Sequence, residues 1–334
     1  MARVLSGIKP TGKMHLGNYL GSFRNFKEFQ DADESYIFVA DLHALTLPID
    51  PHFLHETTYD IVAFYLAAGL DPKKTVLFRQ SDIPEVSELN SIILNFAYMG
   101  ETSEMIQYKE KSKNLSQKAI GVGLFTYPIL MACDIFAYDS DIVPVGEDQR
   151  QHVELAHTLA RRFNHRFAKD GEEILKEPQS FTPKAGKRIM SLQDPFHKMS
   201  KSDDPRAQKG VIYLQDDPAS IRKKIMSAVT DTDCKVVYDP EKKPGVSNLL
   251  NIYCAFKNCS VEEAEKTFEG ANYGTFKGAV ADAVLAELEP FQERFKSFRE
   301  NKSYLDEVFA AGAKEARKAA SVVLYRVQKA VGLR

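Results

Sequence analysis

Over residues 3–79 the apolar positions change period repeatedly, from the short runs of strands to the three-to-four spacing of helices. The pattern predicts strands at 3–7, 35–41 and 74–79, separated by helices at 17–30 and 52–68. Punctuation agrees with it: Asp50-Pro51 suits a helix entrance, Gly69 a helix exit, and Asp71-Pro72 a break before the next strand. Such a β-α-β-α-β run favours an α/β fold with a Rossmann-like, doubly wound parallel sheet, whose ligands sit beyond the carboxyl ends of the strands.

From Glu85 to about Phe167 the period is mainly helical, broken by a polar, lysine-bearing stretch at 109–121 and by the apolar run Ile142-Val143-Pro144-Val145. This reads as a helical insertion in the sheet domain, with the sheet pattern returning near Arg188-Ile189-Met190. Helices are then expected at 217–229, 246–257, 260–269, 273–299 and 303–331, forming a helical C-terminal domain. The last carries Lys314, Arg317, Lys318, Arg326 and Lys329 against Asp306, Glu307 and Glu315. That face is either the solvated side of an amphipathic helix or a contact for nucleic-acid phosphates.

Composition narrows the class. With 334 residues, 44% of them hydrophobic, the chain can build two or three domains around ample cores. A net charge of -2 carries no global nucleic-acid signature, so RNA contact would have to come from local patches. The opening Met1-Ala2-Arg3-Val4-Leu5-Ser6-Gly7 lacks the features of a signal peptide, and no apolar run reaches membrane-spanning length, so the cytoplasm and no membrane partner are expected. Cys133, Cys234, Cys254 and Cys259 contain no C-x-x-C pair and read as reduced thiols without a structural metal. Tryptophan is absent.

Four stretches carry candidate chemistry. Pro10 to Asn18 lies where the first strand turns into a helix, with Gly12 and Gly17 permitting tight turns and close approach of a ligand. Gly7 to Lys13 also fits the first seven positions of a P-loop, but Met14 replaces the required Ser or Thr and Pro10 removes a cradle N–H. Lys198-Met199-Ser200-Lys201-Ser202 places two cations in a segment with poor helix and strand signals, which suits a triphosphate. Tyr127, Met131 and Asp134 share one face of an expected helix. An Asp on a mostly apolar face needs a partner, either a ligand N–H or an internal cap or ion pair. Gly146-Glu147-Asp148-Gln149 opens a further helix with acidic residues in its first turn.

His15-Leu16-Gly17-Asn18 and Lys198-Met199-Ser200-Lys201-Ser202 resemble the two signatures of class I aminoacyl-tRNA synthetases, a His-x-Gly-His-like turn and a Lys-Met-Ser-Lys-Ser loop. With the stretch from Gly146 to His152 between them, the chain is similar over essentially its whole length to the bacterial tryptophanyl-tRNA synthetases. The resemblance implies activation of L-tryptophan with ATP, transfer to tRNA(Trp), a homodimer, and Mg²⁺ held mainly by the triphosphate. It places His15, Asn18, Lys111, Lys198 and Lys201 on the phosphates. Lys9, Pro10, Thr11, Gly17, Gly146, Glu147, Asp148, Ile189, Met199, Ser200 and Ser202 would complete the nucleotide site. It makes Asp134 the acceptor of the indole N–H, packs Met131 on the ring, gives Tyr127 and Gln149 the α-amino group, and lines the pocket with Leu5, His43, Val143 and Val145.

The implied partition is a Rossmann catalytic domain at 1–103 and 177–208, an insertion with the dimer interface at 104–176, and an anticodon-binding domain at 209–334. Departures from the pattern are Asn18 for the second His, Lys9 for a common Gln, Leu5 for an aromatic, and Leu42 for the Gln that usually precedes the pocket His. Physics alone leaves a tyrosyl enzyme open, since a phenol O–H would serve Asp134 equally. A small-molecule nucleotidyltransferase leaves the lysine loop and the helical C-terminal part unexplained. A non-catalytic RNA-binding relative has no use for intact His15, Gly17, Lys198 and Lys201.

Overall fold

The computed structural model describes residues 2–32, 34–112, 120–146, 149–169, 171–181, 189–200 and 208–334. The chain divides into two compact units, one of Met1–Thr11, Lys27–Pro183 and Phe298–Arg334, the other of Gly12–Phe26 and Lys184–Ser297.

The first unit is built on the expected Rossmann-like sheet. Strands β1 (Arg3–Ile8), β2 (Glu34–Val39), β3 (Thr75–Arg79), β4 (Ile142–Pro144) and β5 (Gln179–Phe181) are all parallel, in the order β3-β2-β1-β4-β5. The order reverses between β1 and β4, the switch point at which open α/β sheets bind ligands. Two strands differ from expectation. The apolar run at 142–144, placed by its pattern in a helical insertion, pairs with β1. The fifth strand is Gln179–Phe181, with Ile189 and Met190 outside the sheet and Arg188 outside the described residues. Strands of three residues are too short for an alternating pattern to register.

Asp50 caps the helix Pro51–Ala67 as its sequence suggested, accepting from the Phe53 N–H at 2.8 Å with Pro51 in the first turn. From that helix the buried Tyr65 hydroxyl accepts the Ile8 N–H at 3.1 Å and donates to the Phe38 carbonyl at 2.8 Å, pinning the carboxyl ends of β1 and β2. Burial raises this phenol's pKa.

The other sheet face is covered in part by helices Pro84–Ile93, Val122–Ala137 and Lys302–Ala330, whose buried side chains join Leu5, Tyr36, Phe38 and Phe78 in one core. The last of these helices lies directly on β3, because a Cβ at Gly312 would fall 1.7 Å from the Leu77 carbonyl oxygen. Residues 298–334, grouped by their sequence with the C-terminal helices, therefore cluster with the sheet. Several of this helix's cations are paired: Arg317 with Glu85, Arg326 with Asp139 and Lys318 with Glu315.

The second unit holds helices Pro218–Met226, Pro244–Lys257 and Val261–Thr267 and the bulk of Tyr273–Glu300. The amphipathic stretch expected as one helix from 17 is divided into a turn Leu16–Asn18, a π-helix Tyr19–Phe23 and a helix Arg24–Ala32. The wider π turn keeps Tyr19, Leu20 and Phe23 all buried. Among the described residues no helix is long and apolar enough to cross a membrane.

Candidate active site

His15 is the N-cap of the turn Leu16–Asn18. Its Nδ1 accepts the Gly17 N–H at 3.1 Å, and Asn18 Oδ1 accepts the His15 N–H at 3.0 Å. With Nδ1 accepting, the neutral ring carries its proton on Nε2, an assignment that follows from the network. The donor groups on these two side chains are the His15 Nε2–H and the Asn18 amide N–H. Asn in place of the family's second His preserves this cap, since its carbonyl closes the turn. Gly17 packs closely under the His15 ring: a Cβ there would meet the ring at 3.0 Å, so a larger residue would press on the ring. Gly12 has φ +81°, a left-handed conformation that glycine adopts without steric cost.

The turn is stitched to the segment that follows the lysine loop. Leu16 N–H donates to the Ile212 carbonyl at 2.9 Å, Leu214 N–H donates to the Met14 carbonyl at 2.8 Å, and His15 bridges Tyr213. Tyr19 fixes the far side, its ring stacked on Phe256 and edge-on to Phe291 and its hydroxyl donating to Glu287 at 2.7 Å. The start of the lysine loop is held equally firmly. Met199 is buried and its N–H donates to the Ile189 carbonyl at 2.9 Å, while Lys198 and Ser200 are exposed on either side. Met190, bridged to Lys198, exchanges two 2.9 Å bonds with the Asn248 side chain on helix Pro244–Lys257. His15, Gly17, Asn18, Ile189, Lys198, Met199 and Ser200 thus belong to one compact unit. Lys201 and Ser202 lie outside the described residues.

The residues assigned to the amino acid lie in the sheet unit. Tyr127, Met131 and Asp134 share a face of helix Val122–Ala137, as their spacing predicted. Asp134 is 2% exposed and has internal partners. His43 Nε2 lies 2.8 Å from Oδ2, and Gln80 Nε2 donates to both carboxylate oxygens at 2.9 Å. Gln80 Oε1 accepts the His43 N–H at 3.3 Å. The Tyr127 ring stands edge-on to His43 with centroids 6.2 Å apart, and its hydroxyl lies 2.9 Å from His152 Nε2. Leu5 and Val143 are buried on the neighbouring strands β1 and β4; Met131 and Val145 are partly buried against the same core. Burial and then the Asp134 charge push the adjacent Cys133 thiol well above its ordinary pKa, which makes it unreactive.

Lys9, Pro10 and Thr11 follow β1, where the Pro10 carbonyl accepts from Thr57 Oγ1 at 3.0 Å. Gly146 follows β4, and Gln149 precedes helix Arg150–Phe167. Glu147, Asp148 and the Lys111 side chain fall outside the described part of the structure. Three further residues received no individual role from the sequence. Gln80 reads as a polar residue ending a strand, and His152 as part of an amphipathic helix. Gly7 is exposed at the carboxyl end of β1, and a Cβ there would press on the Phe38 ring at 2.7 Å. Only its position two residues beyond Leu5, on the same strand face, could have signalled it.

A switch-point sheet, a His-capped turn and an anchored lysine segment are the features expected of a class I aminoacyl-tRNA synthetase. The family tRNA synthetases class I (W and Y) matches residues 1–289, and the chain belongs to it. It is 44% identical to the tryptophan–tRNA ligase of Clostridium perfringens over 330 residues, 99% of this chain and 97% of that protein. Its fold matches the crystal structure of tryptophanyl-tRNA synthetase from Mycoplasma pneumoniae with a TM-score of 0.88 at 37% identity, covering 100% of this chain and 98% of that one. The Campylobacter jejuni tryptophanyl-tRNA synthetase complexed with ADP and tryptophan matches with a TM-score of 0.82 at 32% identity, covering 99% of each chain. Within the family the function of this chain is tryptophan–tRNA ligation, which decides against the tyrosyl alternative.

Proposed function

We propose that the buried Asp134 holds the indole N–H of L-tryptophan, with Met131, Leu5, Val143, Val145 and His43 around the ring and Tyr127 and Gln149 toward the α-amino group. His15 Nε2–H, the Asn18 amide, Lys111, Lys198 and Lys201 hold the triphosphate. The tryptophan carboxylate attacks the α-phosphorus of ATP, the bond to the pyrophosphate oxygen breaks, and tryptophanyl-adenylate forms; a hydroxyl of the tRNA(Trp) terminus then attacks the adenylate's carbonyl carbon, the carbonyl–phosphate oxygen bond breaks, and AMP leaves as the ester forms. The barrier is mainly electrostatic, so positioning of the nucleophile and neutralisation of the departing pyrophosphate do most of the catalysis. Mg²⁺ enters with ATP. In this reading it is held mainly by the triphosphate oxygens.

The observation that carries the pocket assignment is Asp134 itself, a buried carboxylate that accepts from His43 and Gln80 and has acceptor capacity remaining. Exposed Leu94, Tyr98, Met99, Ile106 and Val122 cluster in sequence on the helices after β3 and support a homodimer interface there. Lys314 and Lys329 remain as phosphate contacts for tRNA, and the cytoplasm is the compartment where such charging is needed. ATP–pyrophosphate exchange measured across the amino acids tests the substrate: exchange should depend on tryptophan, and equal exchange with tyrosine would overturn the assignment.

A further inference from the structure

Gln80 is 1% exposed and occupies the first position of the short turn Gln80–Asp82 after β3. Its amide orientation is set by its neighbours. Nε2 donates to both Asp134 oxygens and Oε1 accepts from His43 N–H; the flipped amide would oppose oxygen to carboxylate and N–H to N–H. The turn that presents it is fixed as well. Asp41 Oδ1 accepts from both Leu42 N–H and Ser81 N–H at 3.0 Å, and Asp41 Oδ2 accepts from the Ser81 hydroxyl, tying the turn after β3 to the His43 helix after β2.

The bonds are shared unequally between the two carboxylate oxygens. Oδ2 receives Gln80 and the His43 Nε2–H, whereas Oδ1 receives Gln80 alone. Each oxygen has roughly two acceptor positions, so Oδ1 retains one. We infer that Gln80 is a specificity-determining positioning residue: by fixing the carboxylate plane of Asp134 it presents the remaining acceptor position of Oδ1 to the ring N–H of the amino acid. The inference rests on the reading that Asp134 accepts that N–H. Gln80 touches no reacting atom and acts through Asp134. Without it the carboxylate is held from the His43 side only and can turn about its terminal torsion, and the acceptor that distinguishes a ring N–H from an isosteric ring loses its direction.

The test compares L-tryptophan with 3-benzothienyl-L-alanine, in which sulfur replaces the ring N–H, in the full enzyme. Gln80→Met keeps the side-chain length without the amide. It should reduce the preference for tryptophan in kcat/KM by about tenfold or more, chiefly through KM for tryptophan, with KM for ATP unchanged. In the Asp134→Asn background the same change should cause no further loss of preference, since both act on one bond. If Gln80→Met weakens both substrates equally, or if the two substitutions add, the positioning role is overturned and Gln80 merely supports the fold. If Asp134→Asn leaves the preference intact, the underlying assignment of Asp134 has failed instead.

Discussion

At the scale of single residues, the proposed chemistry rests on side chains whose orientation is set within the fold. His15 is locked as an N-cap and Asp134 is held by His43 and Gln80, so neither must reorganise to meet a ligand. Asp134→Asn keeps the volume and one acceptor oxygen but removes the charge and confronts Gln80 with a competing amide. A buried hydrogen bond to a charged group contributes about 1.5–3 kcal/mol, so tryptophan activation should fall by roughly ten- to a hundredfold while ATP binding is retained. Normal activation by the variant, measured by pyrophosphate exchange, would make Asp134 a purely structural residue. The sequence exposed Asp134 because an acid on an apolar helix face is conspicuous, and His43 through its resemblance to a family position. Gln80 stayed hidden because nothing in a polar residue at a strand end reveals a carboxylate brought close from residue 134.

At the scale of elements, long segments were legible and short ones were not. Helix Pro51–Ala67 and strands β1 to β3 follow from periodicity and caps, each spanning enough positions for a pattern to show. β4 and β5 have three residues each and are defined by pairing with distant strands, which no local pattern encodes. The seating of helix Lys302–Ala330 on β3 was equally invisible, since it depends on what Gly312 lacks. Gly312→Ala forces a methyl group against the Leu77 carbonyl and should destabilise the protein by about 1–3 kcal/mol, seen as a lower urea midpoint at unchanged slope. Gly278 in helix Tyr273–Glu300 has open space around its would-be Cβ, so Gly278→Ala should be neutral or stabilising by up to about 1 kcal/mol. Similar midpoints for the two variants would contradict the close packing of the last helix on the sheet.

At the scale of the whole molecule, both ATP signatures fall in one compact unit and the residues assigned to tryptophan in the other. Their effects should therefore separate. Replacing Lys198 and Lys201 by Ala should slow activation roughly a hundredfold or more, as expected for two charge-assisted contacts to the leaving pyrophosphate, with little change in tryptophan affinity. Equal losses in rate and affinity would remove that role. The central claim, that the Asp134 pocket binds tryptophan, can be read directly because the chain has 14 Tyr and no Trp. Excited at the red edge of indole absorption, the protein is dark and added L-tryptophan is the only emitter. Titration should shift its emission to shorter wavelength, raise its polarisation, saturate, and resist displacement by excess L-tyrosine, as expected of a ring held among Leu5, Met131, Val143 and Val145 in the proposed site. Water-like, unpolarised emission at saturating protein, or displacement by tyrosine on equal terms, would contradict the account.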